Sequence, residues 1–273
     1  MSEKVTLGAL QQQKRDGRKI VAVVAWDYQL ARICDRAGVE IVSVGDSVGV
    51  NLWGHPNPLE VTLEEMILVG RAVRRGVSRA LVSVDLPFGP VQQGTASAVR
   101  AAVRLAKEAG ADLVKIDAAA DFPEAVTAVA RAGIPVWAQF GITPQTSLRH
   151  GIDYGALFSP GAQVPAGMRA ALTADARALE EAGAALLDFT NSGPAAGPEV
   201  ARAVSIPVLG GAGGGPWLDG RVRMAHAAIG YAASGLDSPP ETYANVAQTV
   251  LGAITSYASD VRAGRQIKGG IRT

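Results

Sequence analysis

The sequence predicts a (β/α)₈ barrel, and three observations lead there. Short runs rich in Val, Ile and Leu alternate with amphipathic, Ala-rich runs at least seven times along the chain. The turns between them are short and repeatedly carry a glycine just past a helix end, at Gly38, Gly110, Gly133 and Gly183. The chain has 273 residues, close to the ~250 that a one-domain barrel of this kind needs. An open dinucleotide-binding sheet is the competing architecture. It would need a glycine loop after the first strand, and Trp26-Asp27-Tyr28 stands there instead.

In order, a short helix is expected over Val5–Asp16 and a first strand over Lys19–Ala25, then a helix over Gln29–Ala37. The second strand, Glu40–Gly45, is followed by a loop, Asn51–Pro58, rich in Gly, Pro and Asn. Thr62-Leu63-Glu64-Glu65 is a capping box that opens a helix through Arg75. Strand three is Ala80–Val84, its helix Thr95–Ala109, strand four Leu113–Ile116 and its helix Glu124–Ala132. Strand five, Pro135–Phe140, leads into a long loop, Gly141–Pro165, and a helix over Ala170–Ala182. Strand six is Ala185–Phe189, followed by a short helix over Glu199–Val204 and strand seven over Ile206–Leu209. The eighth strand is the least visible, with Met224–Ile229 as its candidate. A final helix over Tyr243–Gly264 and a basic tail over Arg265–Thr273 complete one domain, residues 1–273.

Composition narrows the function classes. A formal charge of +1 with no basic stripe argues against nucleic acid as the main partner. The one cysteine, Cys34, excludes an internal disulfide and a cysteine metal cluster. No apolar run reaches the ~20 residues of a membrane span, so no membrane partner is expected. The polar start, Met1–Arg18, has no secretory core, and a cytoplasmic location is the default expectation.

The chemistry gathers at strand ends. Asp46, Asp85 and Asp117 close strands two, three and four, which are neighbours in a barrel. Each alone could cap a helix or a turn. Together they repel unless a cation joins them, and oxygen-only ligands suit a hard ion, Mg²⁺ first. Lys115 lies two residues before Asp117 and shares its face. It reads either as an internal ion-pair partner of Asp117 or Asp85, or as the cation for an anionic substrate such as a carboxylate. Gln139 and Thr190 hold matching places on strands five and six. Asp188 shares the face of Thr190 and reads as a buried partner for Lys115 or for a backbone amide. The glycine turn from Gly210 to Gly215 is a backbone that can hold a phosphate. His55 and His150 read as solvated loop residues, and His226 as core.

Several segments resemble the ketopantoate hydroxymethyltransferase family over about residues 5–235. They are Ala25-Trp26-Asp27-Tyr28, Val44-Gly45-Asp46-Ser47-Val48-Gly49, Asp85-Leu86-Pro87-Phe88, Ala109 through Asp117, and Gly141-Ile142-Thr143-Pro144-Gln145. The resemblance implies a barrel of the phosphoenolpyruvate mutase/isocitrate lyase type that uses Mg²⁺ on an α-keto acid. It also implies 5,10-methylenetetrahydrofolate as one-carbon co-substrate and assembly into a homo-oligomer. By the same resemblance Asp46 and Asp85 bind the metal, Ser47 and Lys115 hold the keto acid's carboxylate, and Asp117 stands where the family has a glutamate. Two positions depart: Gln139 replaces a histidine, and Thr190 replaces a glutamate base. Neither Gln nor Thr is a general base near neutral pH.

The expected activity is a Mg²⁺-dependent, aldol-type transfer of a hydroxymethyl unit to an α-keto acid with an altered base. Asp188, Asp117, a metal-bound hydroxide or the folate would then take the proton. The alternatives are a C–C or C–P bond lyase, hydrolase or mutase of the same superfamily, with Gln139 and Thr190 as substrate contacts, or a catalytically degenerate barrel that binds or assembles. The loops over Asn51–Pro58 and Gly141–Pro165 are expected to shape the substrate pocket.

Overall fold

Eight short strands pair in parallel and close on themselves in the order β1 to β8. They are β1 Ile20–Val24, β2 Ile41–Val44, β3 Leu81–Asp85, β4 Leu113–Ile116, β5 Val136–Gly141, β6 Leu186–Thr190, β7 Val208–Gly210 and β8 Gly220–Met224. The helices are α1 Leu7–Arg15, α2 Tyr28–Ala37, α3 Val48–Trp53, α4 Leu63–Gly76, α5 Thr95–Arg104, α6 Pro123–Arg131, α7 Arg169–Glu181, α8 Gly193–Ala203, α9 Ala225–Ala228 and α10 Val246–Arg262. This computed structural model describes residues 3–158, 164–211, 214–238 and 241–269. Parts of the predicted loop (159–163), glycine turn (212–213) and basic tail (270–273) lie outside the described residues.

The chain divides into two compact units, residues 1–223 and 224–273. In the first, β2, β3, β4 and β6 are buried along their whole length. That burial is why they read as unbroken apolar runs rather than alternating ones. The register sets which residues share the barrel interior. Ser43 pairs with Ser83, Asp85 with Lys115, Lys115 with Trp137, and Gln139 with Asp188. Side-chain caps mark helix starts. Asp27 accepts from the Leu30 N–H to cap α2, and the Thr62–Glu65 capping box opens α4.

Four elements differ from the sequence reading. The eighth strand is Gly220–Met224, and residues 225–228 of the predicted strand form α9 instead. The pattern hid it because Arg221 and Arg223 sit on its exposed face, so no apolar run forms. Gly220 is required there, since a Cβ would lie 2.2 Å from the Ile20 carbonyl oxygen across the closure of the barrel. The helix after β6 begins at Gly193, six residues early, with Pro194 in its first turn and Pro198 inside it. Proline suits a first helical turn but breaks the periodic pattern further in. Part of the predicted loop over Asn51–Pro58 belongs to α3. The last turn of the helix predicted through Ala109 is a π-helical turn, Leu105–Ala109, ended by Gly110.

In the second unit, α10 exposes Val250, Leu251, Ile254, Tyr257 and Val261, and Ala247 is its one buried residue. Their spacing of three and four places these side chains along one stripe of the helix. Among the described residues no helix is long and apolar enough to cross a membrane.

A buried carboxylate stitches α2 to the start of β3. Asp35 accepts from the backbone N–H groups of Ser78, Arg79 and Ala80 and from the Ser78 hydroxyl. Asp35→Ala leaves one buried and two part-buried backbone donors without their acceptor, so a loss of about 2 kcal/mol of unfolding free energy is expected. Urea unfolding checks it, and a change below about 1 kcal/mol would show that the contacts are replaceable.

Candidate functional site

At the carboxyl ends of β2 to β6 the barrel closes over a group of buried charges. Asp46, Asp85, Lys115, Asp117, Gln139, Asp188 and Thr190 are each under a tenth exposed, and Ser47 is half-buried. Gly45 lets the end of β2 come close. A Cβ there would lie 2.8 Å from Ser47 Oγ and 3.6 Å from Asp85 Oδ2. Asp46 does not cap the following helix: Ser47 holds the cap position of α3 without a side-chain bond. Asp46 Oδ2 instead accepts from Gln145 Nε2 at 3.1 Å.

Lys115 reaches across the interior to Asp188 Oδ2 at 3.1 Å, with Asp85 Oδ2 at 3.8 Å. Its ammonium also lies 5.0 Å from the centre of the Trp137 ring. The other Asp188 oxygen accepts from the Gly211 N–H at 3.4 Å. That N–H belongs to the glycine turn read as a phosphate loop, and it points at a carboxylate. Burial alone would lower the Lys115 pKa, but Asp85 and Asp188 outweigh it and hold it above the usual lysine range. Lys115 is therefore a fixed cation rather than a proton acceptor. Thr190 Oγ1 accepts from Gln139 Nε2 at 2.9 Å, so these two neutral side chains are joined to each other.

Asp117 accepts from the backbone N–H groups of Ala118 and Gln145, and the Thr143 hydroxyl also bonds to it. Ala118 takes a left-handed conformation, with φ 54°, to aim its N–H back at the carboxylate. Burial pushes the Asp46 pKa up to about 7, helped by the negative charge of Asp117. Burial likewise raises Asp85 to about 7, opposed by Lys115 and assisted by Asp46 and Asp188. Asp117 is raised to about 6 by burial, against the hydrogen bonds it accepts.

The donor set suits a hard divalent ion. Asp85 Oδ1 is buried and has no hydrogen-bond partner, and the neighbouring Asp46 charge raises the Asp85 pKa. Among the described residues no group of three or more His, Cys, Asp or Glu side chains forms a ready metal cage. Mg²⁺ does not need one: it commonly binds through one or two carboxylates and completes its shell with water and substrate oxygens. Asp46 and Asp85 fit that pattern, with Asp117 already occupied by three donors.

The sequence reading did not place Gln145 or Tyr154 in the site. Gln145 carries the link between Asp46 and Asp117. Tyr154 is held above its usual pKa by burial and then by the charges of Asp46 and Asp117. A cavity of 290 Å³ lies beside them, lined among others by Pro56, Leu59, Pro144, Gln145, Leu148 and Tyr154. Both predicted pocket-shaping loops contribute to it. The polar run Thr143-Pro144-Gln145, straight after a buried strand, was the available signal for Gln145. Tyr154 had none, being an aromatic in an irregular loop. Of the histidines, His226 lies edge-on to the Tyr231 ring at 4.9 Å, and His55 is 5.8 Å from the Trp53 ring.

The family model of ketopantoate hydroxymethyltransferase matches residues 4–266. A 3-methyl-2-oxobutanoate hydroxymethyltransferase from Cyanothece sp. is 40% identical over 94% of this chain and 96% of its own. One of the same name from Pyrococcus abyssi is 40% identical over 90% of this chain and 84% of its own. Among solved structures, a 2,3-dimethylmalate lyase of the PEP mutase/isocitrate lyase superfamily superposes with a TM-score of 0.58 at 16% identity, covering 100% of both chains. A phosphonopyruvate hydrolase superposes with a TM-score of 0.60 at 14% identity, over 98% of this chain and 92% of its own. At those identities the two structures speak for the barrel alone.

Unfolded aspartates titrate near 3.8, whereas Asp46 and Asp85 titrate at about 7 and Asp117 at about 6 in the folded chain. Between those values the folded state holds more protons than the unfolded one. The metal-free protein is therefore expected to lose stability as pH rises from about 4 to about 7 and to change little above that. Thermal unfolding in chelator across pH 5 to 8 reads this; a melting temperature that rises with pH over that window contradicts it.

Proposed function

The chain belongs to the ketopantoate hydroxymethyltransferase family, a family of enzymes, and from that footing we propose a Mg²⁺-dependent transfer of a hydroxymethyl unit to an α-keto acid. The observation that carries the reading is the buried, unpartnered Asp85 Oδ1, on a carboxylate that feels the Asp46 charge and whose other oxygen lies 3.8 Å from the Lys115 ammonium. Asp46 and Asp85 are the residues that would hold the ion, and Asp117 would stand behind them through water. The ion would supply Lewis-acid polarisation of the keto carbonyl. 5,10-methylenetetrahydrofolate is the proposed one-carbon donor, from the family reading.

The chain's own residues then have these tasks. Ser47 and the Lys115 ammonium orient the keto acid's carboxylate, and Asp188 keeps the ammonium charged and aimed. Gln139 and Thr190, joined by their hydrogen bond, line the place where the substrate's C3 would sit. Asp117 is the proposed acceptor for the C3 proton. In the metal-free chain burial raises its pKa to about 6, nearer to neutrality than an ordinary aspartate's. Asp188 is the second candidate, although its contact with Lys115 ties it to charge neutralisation.

The Gln139–Thr190 bond favours one other reading. A site without an ionisable group at either position suits chemistry that begins by breaking a C–C or C–P bond, so a lyase, hydrolase or mutase on another oxo acid is the alternative. Assembly and location complete the proposal. The exposed apolar stripe of α10 supports a homo-oligomer, and the lack of a spanning helix among the described residues is compatible with the cytoplasm.

The test uses 3-methyl-2-oxobutanoate with Mg²⁺ in D₂O, with the C3 proton followed by NMR. Catalysed exchange is expected, lost together with Mg²⁺ binding in Asp46→Ala and Asp85→Ala and reduced at least about 100-fold in Asp117→Asn, the typical weight of a general base. No exchange by a protein that binds Mg²⁺ and the keto acid would move the assignment to the bond-breaking alternative. Full activity in either alanine variant would remove the metal assignment. Light scattering is expected to give a whole-number multiple of the chain mass, and Ile254→Lys to lower it; a monomeric wild type would overturn the oligomer.

A further inference from the structure

Gln145 is bonded to two carboxylates that arrive from different strands. Its side-chain Nε2 donates to Asp46 Oδ2 at 3.1 Å, and its backbone N–H donates to Asp117 Oδ2 at 3.2 Å. Asp46 follows β2 and Asp117 follows β4, while Gln145 itself comes from the loop after β5. One loop residue therefore spans the rim around Asp85.

The loop is built to hold it still. Gly141 starts the turn at φ +95°, and a Cβ there would lie 2.5 Å from the Thr190 carbonyl oxygen. Thr146 Oγ1 accepts from the Thr143 N–H at 3.1 Å and lies 2.9 Å from the Thr143 hydroxyl. The Thr146 N–H closes the turn on the Thr143 carbonyl at 3.1 Å. Pro144, between them, fixes its own φ. Thr143, Thr146 and Ser147 are buried, so the side chain next to Pro144 is presented from a rigid base.

This arrangement limits what each carboxylate can offer. Both oxygens of Asp117 accept backbone N–H bonds. Asp46 has Oδ2 tethered by the neutral Gln145 amide and also accepts from the Ser47 backbone N–H. Asp85 has the bare Oδ1. The rim thus presents a bare Asp85 Oδ1 and a tethered Asp46 rather than two unrestrained chelating carboxylates. Ca²⁺ takes six to eight oxygens and readily uses both atoms of a carboxylate, whereas Mg²⁺ takes six ligands and keeps several waters.

We propose that Gln145 is a positioning residue that, by tethering Asp46 Oδ2 against two-point chelation, makes the rim selective for Mg²⁺ over Ca²⁺. The proposal rests on the metal reading of Asp46 and Asp85. A neutral amide is the fitting side chain. It donates to Asp46 without adding charge, whereas a carboxylate at 145 would join the negative group already there and offer the ion a further ligand.

The test is calorimetric titration of the full-length protein with MgCl₂ and, separately, CaCl₂, for wild type, Gln145→Leu and the near-isosteric Gln145→Glu. Wild type is expected to prefer Mg²⁺. In Gln145→Leu the Mg²⁺ affinity is expected to fall about tenfold, the usual scale for a residue behind a ligand, with Ca²⁺ affinity kept. In Gln145→Glu the Mg²⁺:Ca²⁺ ratio is expected to fall through tighter Ca²⁺ binding, which keeps the test alive if the leucine variant does not fold. A general loosening of the loop would weaken both ions alike and leave the ratio intact. A wild-type ratio in the folded variants overturns the role of Gln145 alone. A wild type that binds neither ion at millimolar concentration overturns the metal reading and this proposal with it.

Discussion

A single buried ammonium holds together a crowd of buried carboxylates. Lys115 reaches Asp188 at 3.1 Å and Asp85 at 3.8 Å, and its charge also acts on Asp46 and Asp117. Four acids within one dry rim repel one another, and one lysine cannot neutralise them all. The remainder is handled by hydrogen bonds: three donors on Asp117, the Gln145 amide on Asp46 and the Gly211 N–H on Asp188. Asp85 keeps one oxygen outside this network. The strand register makes the arrangement possible, because Asp85 lies beside Lys115 and Asp188 beside Gln139.

The same crowding gives the rim its polarity. On one side lies Lys115, held charged, with Asp188 paired to it. On the other lie Asp46, Asp85 and Asp117, all displaced upward in pKa by burial. Next to Asp188 in the register lies a neutral pair, Gln139 and Thr190, which neither gains nor loses charge near neutrality.

The barrel was legible because its strands are buried on both faces and its helices end at glycines. The strand-end acids were legible for the same reason, since polarity right after an apolar run stands out. The eighth strand was not: with Arg221 and Arg223 facing outward, an alternating pattern replaced the expected run. The helix after β6 was concealed by its own Gly and Pro. That Asp188 partners Lys115 was one of the readings the strand pattern offered, and the 3.1 Å contact bears it out. Asp188 lies 73 positions away, and only barrel closure brings it within 3.1 Å. Gln145 was visible as a motif residue, but its bond to Asp46, across 99 positions, depends on how the turn at Thr143 folds back. Short-range pattern reveals strands and caps, whereas pairings inside a barrel depend on shear and loop geometry.

The hydrogen bond between Gln139 and Thr190 also constrains how this sequence can change over time. The two side chains meet from adjacent strands, both buried, and each gives the other a hydrogen-bond partner. Replacing one of them by an ionisable residue puts a charge against a neutral partner and carries the penalty of an ill-matched buried group. A lineage moving toward or away from a proton-abstracting pair here therefore passes through an unfavourable half-changed state. The two positions are expected to be exchanged together, as a unit of inheritance rather than as separate sites.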